Sequence, residues 1–112
     1  MLEAEIEAND EITEKYNQQN SLMEKRIELT KLLQGKNADS TLNSYYAKIR
    51  DNNRDIYKAQ LNELNDLENK LKDEASLYLE GGPELVTKTK ERYNELVLSI
   101  VDSAIAVHES AT

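Results

Sequence analysis

The stretch YLEGGPEL, residues 78–85, holds two of the three glycines of the chain and its only proline. Glycine commonly ends a helix, because it adopts the left-handed backbone conformation without steric cost. Proline suits the first turn of the helix that follows, where a backbone N–H is not needed. No strand is predicted before the stretch, which argues against a phosphate-binding loop. The stretch therefore predicts a corner between two helices, with the turn at residues 81–83.

The segment before this corner, residues 41–80, contains neither glycine nor proline. Apolar side chains recur through it at helical spacing, namely Leu42, Tyr45, Tyr46, Ile49, Ile56, Tyr57, Leu61, Leu64, Leu67, Leu71, Ala75 and Tyr78. The register drifts by one residue near 56–57, which favours a broad straight stripe over a strict heptad seam. At about 1.5 Å per residue, such a helix is roughly 60 Å long. We expect one very long central helix.

A second predicted break, GKNADS, covers residues 35–40, where Gly35 can end one helix and Asp39 or Ser40 can cap the next. It leaves residues 2–34 as a first helix with a thin apolar face made by Leu2, Ile6, Ile12, Tyr16, Met23, Ile27 and Leu33. Asn9 and Gln19 or Asn20 fall where this face should be apolar. A helix with so sparse a stripe needs a partner to be stable.

The third helix, residues 84–109, is predicted to be the most apolar segment. One side carries Val86, Tyr93, Val97, Ile100, Ala104 and Val107, and it is widened by Leu85, Leu96, Val101 and Ile105. Three helices with two short connections favour an up–down–up antiparallel arrangement. The sequence thus predicts an all-α fold, an elongated three-helix antiparallel or coiled-coil-like bundle that forms a single unit over residues 1–112. The helices differ in length, so one of them projects or pairs with another chain.

Composition narrows the classes of partner. The net charge is −8, and an acidic surface repels nucleic-acid backbones and anionic lipids. The chain has no cysteine, and its N-terminus lacks the basic and apolar regions of a secretory signal. The longest apolar run, residues 96–107, is too short to span a bilayer and contains Asp102. We expect a cytoplasmic protein that binds neither nucleic acid nor a small-molecule substrate, is not inserted into membranes, and pairs with other helical protein subunits, as a homo- or hetero-oligomer.

The most unusual local motif is RDNNRD, residues 50–55, in which Asn52 or Asn53 interrupts the apolar stripe of the central helix. Three interpretations are open. The asparagine can form a buried polar layer that fixes helix register. Arg50 and Arg54, one helical turn apart, can bind acidic groups of a partner. The segment can also be a solvated part of the helix with local ion pairs such as Asp51–Arg54.

Candidate contact residues surround this motif. Tyr45, Tyr46 and Tyr57 form either an interface hot spot, in which tyrosine is enriched, or core packing against the first helix. With Arg50, Asn53 and Arg54, and with Leu96 and Ile100 of the third helix, they are the candidate interaction residues. No catalytic, cofactor-binding or metal-binding residues are predicted. His108, the only histidine, has no Cys or Ser nucleophile in a triad-like setting, and the acidic residues near the N-terminus do not have EF-hand spacing.

These patterns favour a non-enzymatic interaction or scaffold subunit that assembles into a larger complex through coiled-coil-like helix packing. The alternative is a small secreted helical-hairpin effector or secretion chaperone, a class that is also short, acidic and free of cysteine. The small secreted proteins of that shape carry a Trp-x-Gly turn, whereas this chain has no tryptophan.

Overall fold

A computed structural model describes residues 2–34 and 39–110 of the chain. It contains three helices over this range, α1 (Leu2–Gln34), α2 (Asp39–Lys72) and α3 (Glu74–Ser110). The predicted all-α, three-helix fold is confirmed. Of the predicted break at 35–40, residues 35–38 lie outside the described residues, and α2 already begins at Asp39 rather than at 41.

The first two helices run antiparallel. Near one end, Lys70 Nζ donates to Glu5 Oε2 at 3.2 Å. Toward the other end, Asn20 Nδ2 donates to Asn53 Oδ1 at 3.0 Å. Residue numbers therefore rise along α1 as they fall along α2.

The third helix returns antiparallel to α2 and so runs in the same direction as α1. The Tyr93 hydroxyl donates to Glu68 Oε1 at 3.0 Å, and Asn53 Nδ2 donates to Ser110 Oγ at 3.2 Å. The bundle measures 62 × 22 × 15 Å. Because α3 ends beside Asn53 in the described chain, the first turns of α2 extend past it.

The predicted single helix over 41–80 is wrong in one respect, because α2 ends at Lys72 and a new helical segment begins at Glu74. Asp73 lies between them and caps the second segment. Its Oδ1 accepts a hydrogen bond from the Ser76 backbone N–H at 3.2 Å, and its Oδ2 accepts one from Ser76 Oγ at 2.7 Å. The Ser76 hydroxyl and then its backbone N–H hold the pKa of Asp73 below the usual value. A side-chain cap of this kind starts a helix without glycine or proline.

The chain reverses direction at Gly82, inside the range of α3. Gly82 has φ 72° and ψ −168°, a region that is open essentially to glycine alone. Gly81 is needed for a different reason, since a Cβ atom there would lie 2.7 Å from Leu85 Cδ2. Pro83 follows as the first residue of the returning helix. The 2.9 Å ion pair between Lys90 and Glu74 joins the two sides of this corner.

The apolar core is small. Its main cluster consists of Leu2, Leu67 and Leu96, one from each helix, with four half-buried side chains packed around them: Ile6, Leu64, Leu85 and Tyr93. In the described residues, six apolar side chains are buried and six polar or charged residues are buried as well. Burial of polar groups without partners is costly, so the polar half of the interior must be internally hydrogen-bonded.

Candidate interaction surfaces

A charged cluster joins all three helices and extends from the buried Glu63 to the exposed Asp10. The carboxylate of Glu63 on α2 is fully buried and faces the guanidinium of Arg92 on α3, whose Nη2 lies 2.7 Å from Glu63 Oε1 and whose Nε donates to Glu63 Oε2. From α1, Asn9 Nδ2 donates to Glu63 Oε1 at 3.0 Å, while Asp10 Oδ1 accepts from Arg92 Nη2 at 3.1 Å. The hydrogen bonds to Glu63, aided by its charge and by Asp10, raise the pKa of Arg92 further above its ordinary value. Glu63 and Arg92 thus satisfy each other inside the bundle.

A second polar layer lies farther along the bundle and is built from amides. Asn52 is 1% exposed, and its Nδ2 donates to Asn20 Oδ1 at 3.0 Å and to Gln19 Oε1 at 3.3 Å. Asn20 in turn donates to Asn53, which donates to Ser110 on α3. Among the described residues, Asn52 Oδ1 has no hydrogen-bond partner. Such a layer is formed fully only when the helices are aligned in one register.

The asparagines and the arginines of the RDNNRD motif therefore have different roles. Asn52 and Asn53 belong to the polar layer within one chain. Arg54 is exposed, while Arg50 is half-buried, with its Nε 3.8 Å from Asp51 Oδ1. Within the described residues, Asp51 therefore pairs with Arg50 rather than with Arg54. Binding of a partner by Arg50, Asn53 or Arg54 stays a prediction.

The three tyrosines of the candidate set are not equally accessible. Tyr45 and Tyr57 are half-buried, whereas Tyr46 is exposed. The ring of Tyr46 lies under the ammonium group of Lys31 from α1, with Nζ 5.9 Å from the ring centroid. A cation at this distance from an aromatic face is attracted to it. Tyr46 therefore contributes to the α1–α2 contact and also presents surface to solvent.

The two candidate residues on α3 lie on its inner side. Leu96 is buried in the apolar cluster with Leu2 and Leu67, and Ile100 is half-buried. The exposed large apolar residues in the part of this helix after Gly82 are instead Leu98, Val101 and Ile105. The sequence grouped Val101 and Ile105 with the inner face, and the structure places them on the outer surface.

The end of α1 next to the 35–38 segment carries further exposed apolar side chains. Leu22, Leu29, Leu32 and Leu33 are all exposed there. Spacing predicts that Leu33 and Ile12 lie on the apolar face of the first helix, but both are exposed. The inward-facing positions of α1 follow spacings of four and three residues, and Ile12 and Leu33 fall outside this series: 9, 13, 16, 20, 23, 27 and 30.

A polar cleft of about 290 Å³ opens between α1 and α3, where the two helices are spread apart. Its lining combines hydroxyl, amide and carboxylate groups with two apolar side chains, from Thr13, Asn17, Asn53, Ile56, Gln60, Ser99, Asp102, Ser103 and Ala106. Two of these, Ser103 and Gln60, are hydrogen-bonded to each other across the α2–α3 contact. Residues 2–34 and 39–110 contain no group of three or more metal-ligating side chains placed to hold an ion. Within the same ranges no helix is both long and apolar enough to cross a membrane.

Sequence reasoning missed the Glu63–Arg92 pair, although a signal for it existed. Glu63 belongs to the buried stripe of α2, whose positions 56, 60, 63 and 67 are separated by four, three and four residues. Asn9, which donates to Glu63, was itself noted as a polar residue at an apolar position of α1. Two helices with polar residues at matching stripe positions indicate a polar layer between them.

Comparison of the chain with protein-family models, with curated proteins and with solved structures found no match. The functional argument for this chain consequently depends on its own surfaces and packing.

Proposed function

We propose that the chain is a non-enzymatic scaffold subunit whose helices bundle, in the manner of a coiled coil, with helices of other protein chains to hold a larger assembly together. The observation that carries this proposal is the ratio of exposed to buried apolar side chains. Among the described residues, eleven large apolar side chains are exposed and six apolar side chains are buried. Single exposed apolar residues are ordinary, but grouped ones mark contact sites.

The grouping of these residues supports the proposal. Four exposed leucines lie within about the last three and a half turns of α1, between residues 22 and 33. Three more apolar residues line the outer side of α3, between 98 and 105. Each group follows the spacing of a helical face, the form in which one helix meets another.

The use of the buried polar groups also supports a structural role. The buried carboxylate of Glu63 is held by Arg92 and Asn9, and the buried amide of Asn52 is held by Asn20 and Gln19. A general acid or base needs a proton-accepting group directed at a substrate. These groups are instead directed at one another and stabilise the helix alignment.

The test is the behaviour of the purified chain across a range of concentrations. Analytical ultracentrifugation and thermal circular dichroism of the wild-type chain are compared with a variant in which Leu22, Leu29, Leu98, Val101 and Ile105 are all replaced by Gln. We expect the wild type to self-associate with rising concentration and to bind an apolar-surface dye, and the variant to stay helical but lose both properties. A wild-type chain that is monomeric at every concentration, melts cooperatively and binds no dye would refute the proposal and favour a self-sufficient secreted effector.

A further inference from the structure

The outer side of α3 carries a short apolar seam, formed by Leu98, Val101 and Ile105. Their spacing of three and four residues is that of the a and d positions of a heptad. The three side chains are 73%, 53% and 50% exposed, respectively, so the seam is uncovered by the described chain. Leu96 and Ile100 lie on the opposite, inner side of α3 and pack it against the bundle. The outer seam can therefore contact another helix.

The two flanks of this seam differ in chemistry. On one flank Glu95, Asp102 and Glu109 recur at intervals of seven residues, and all three are exposed. The other flank is apolar, with Val97 and Ala104 at the same interval. Residues 93–110 contain no Lys or Arg. A helix that covers the seam therefore meets carboxylates along one entire edge.

The apolar flank lies on the side of α3 where Tyr93 contacts α2. Tyr93, one turn before Val97 on the same side, donates its hydroxyl to Glu68 of α2 at 3.0 Å. The acidic flank lies on the opposite side of the seam, where Asp102 borders the polar cleft between α1 and α3. Residues at heptad flanking positions choose the partner and its orientation through interhelical ion pairs.

We propose that this seam binds an amphipathic helix of another protein that carries Lys or Arg in a row beside its own apolar stripe. The inference rests on the proposed function and names the chemistry of the partner. An antiparallel second copy of this chain does not fit, because such pairing through the seam sets Glu95, Asp102 and Glu109 of one copy against the same acids of the other. Like charges that face each other across an interface oppose association.

The test uses two synthetic peptides of about three heptads, both with Leu at the a and d positions, one with Lys and one with Glu at the flanking positions. Binding to the full chain is measured by fluorescence anisotropy. We expect the Lys peptide to bind at least about tenfold more tightly than the Glu peptide. L98Q/V101Q/I105Q should lose this binding, and the charge reversal E95K/D102K should transfer the preference to the Glu peptide.

Two controls separate the seam from the rest of the acidic surface. E11K/E14K changes the net charge equally at exposed positions of α1 and should leave the preference for the Lys peptide intact. L22Q/L29Q removes exposed leucines from α1 and should leave the affinity within about twofold. Circular dichroism verifies that every variant remains helical.

Three results would overturn the inference. The first is that L98Q/V101Q/I105Q binds the Lys peptide as tightly as the wild type does, and the second is that E95K/D102K keeps the preference for the Lys peptide. The third is a wild-type dimer that dissociates on L98Q/V101Q/I105Q alone, which would show that a second copy covers the seam. If instead L22Q/L29Q abolishes self-association while the seam variants change nothing, the proposed function stands and this inference fails.

Discussion

Arg92 and Glu63 form a two-pronged ion pair between α3 and α2, in which the carboxylate is completely shielded from solvent. Removal of one member leaves the other charge buried and uncompensated, and such changes cost about 3–5 kcal/mol of stability. We expect Arg92→Met to lower the free energy of unfolding, measured in urea, by an amount of this order. Arg54→Met, at an exposed position, is the matched control and should change it little.

The same ion pair predicts a compensating double substitution. Glu63→Met together with Arg92→Met removes both charges, so no unpaired group is left in the interior. We expect the double variant to recover most of the stability that Arg92→Met alone loses, since apolar residues of similar volume often replace a buried ion pair without cost. A double variant that is less stable than Arg92→Met would show that the pair does more than satisfy its own charges.

The amide layer predicts a loss of uniqueness rather than of stability. Asn20→Leu with Asn52→Leu replaces two hydrogen-bonded amides by apolar side chains at the α1–α2 contact. We expect an unfolding midpoint at or above that of the wild type, because the polar layer fixes register at a cost in stability. The backbone amide NMR spectrum should show extra peaks from shifted alignments. A single sharp set of peaks would mean that register is fixed elsewhere.

At the corner, we expect Gly81→Ala and Gly82→Ala to lower the stability for different physical reasons. Gly82→Ala has open space for its methyl group but a strained backbone, which costs about 1–3 kcal/mol. Gly81→Ala has ordinary backbone geometry, but its methyl group meets the side chain of Leu85. Adding Leu85→Ala removes Cδ2 and Cγ but keeps Leu85 Cβ, which would lie 2.8 Å from the new methyl group. It should therefore relieve only part of the Gly81→Ala effect and leave the Gly82→Ala effect unchanged, as measured by urea unfolding. Equal responses of both variants to Leu85→Ala would contradict this division.

The Asp73 cap predicts a pH-dependent contribution to stability. Hydrogen bonds from Ser76 lower the pKa of Asp73 from 3.8, so the folded state binds this proton less readily than the unfolded state does. The stabilisation is present above the unfolded-state pKa and is lost as the pH falls through the lower folded-state value. Asp73→Ala should therefore melt at a lower temperature than the wild type at neutral pH, and the difference should shrink below pH 3.8. A difference that is constant with pH would indicate that the charge of Asp73 is not involved.

The part of the fold that could be predicted from the sequence is the part in which glycine and proline end or start a helix. Gly82 and Pro83 indicated the corner, because few other residues adopt the backbone geometry found there. The break at Asp73 could not be found in this way, since aspartate occurs both as a helix cap and on exposed helix surfaces. Its only signal is the hydrogen-bonding partner Ser76, three residues later.

The interior was harder to predict than the path of the chain. Spacing groups Leu96 with Val101 and Ile105 on one apolar side, and only the packing of α3 against α2 separates the buried residue from the two exposed ones. The Glu63–Arg92 pair depends on contact between residues far apart in sequence, which no local pattern of one helix contains. Asn52 was recognisable as an interruption of the stripe, but its partner Asn20 became clear only from the antiparallel alignment.

The polar layers have a consequence for the kinetics and strength of any contact on the surface. Arg92 and Ser110, at two levels of α3, bind α2 and hold the returning helix in place before a partner arrives. A preorganised helix loses little conformational entropy when it is covered, so more of the interaction free energy remains as affinity. A chain segment that had to fold during the encounter would lose that advantage. If the proposed partner helix binds, the hydrogen bonds at the centre of this slender molecule therefore lower the conformational entropy lost at its outer surface.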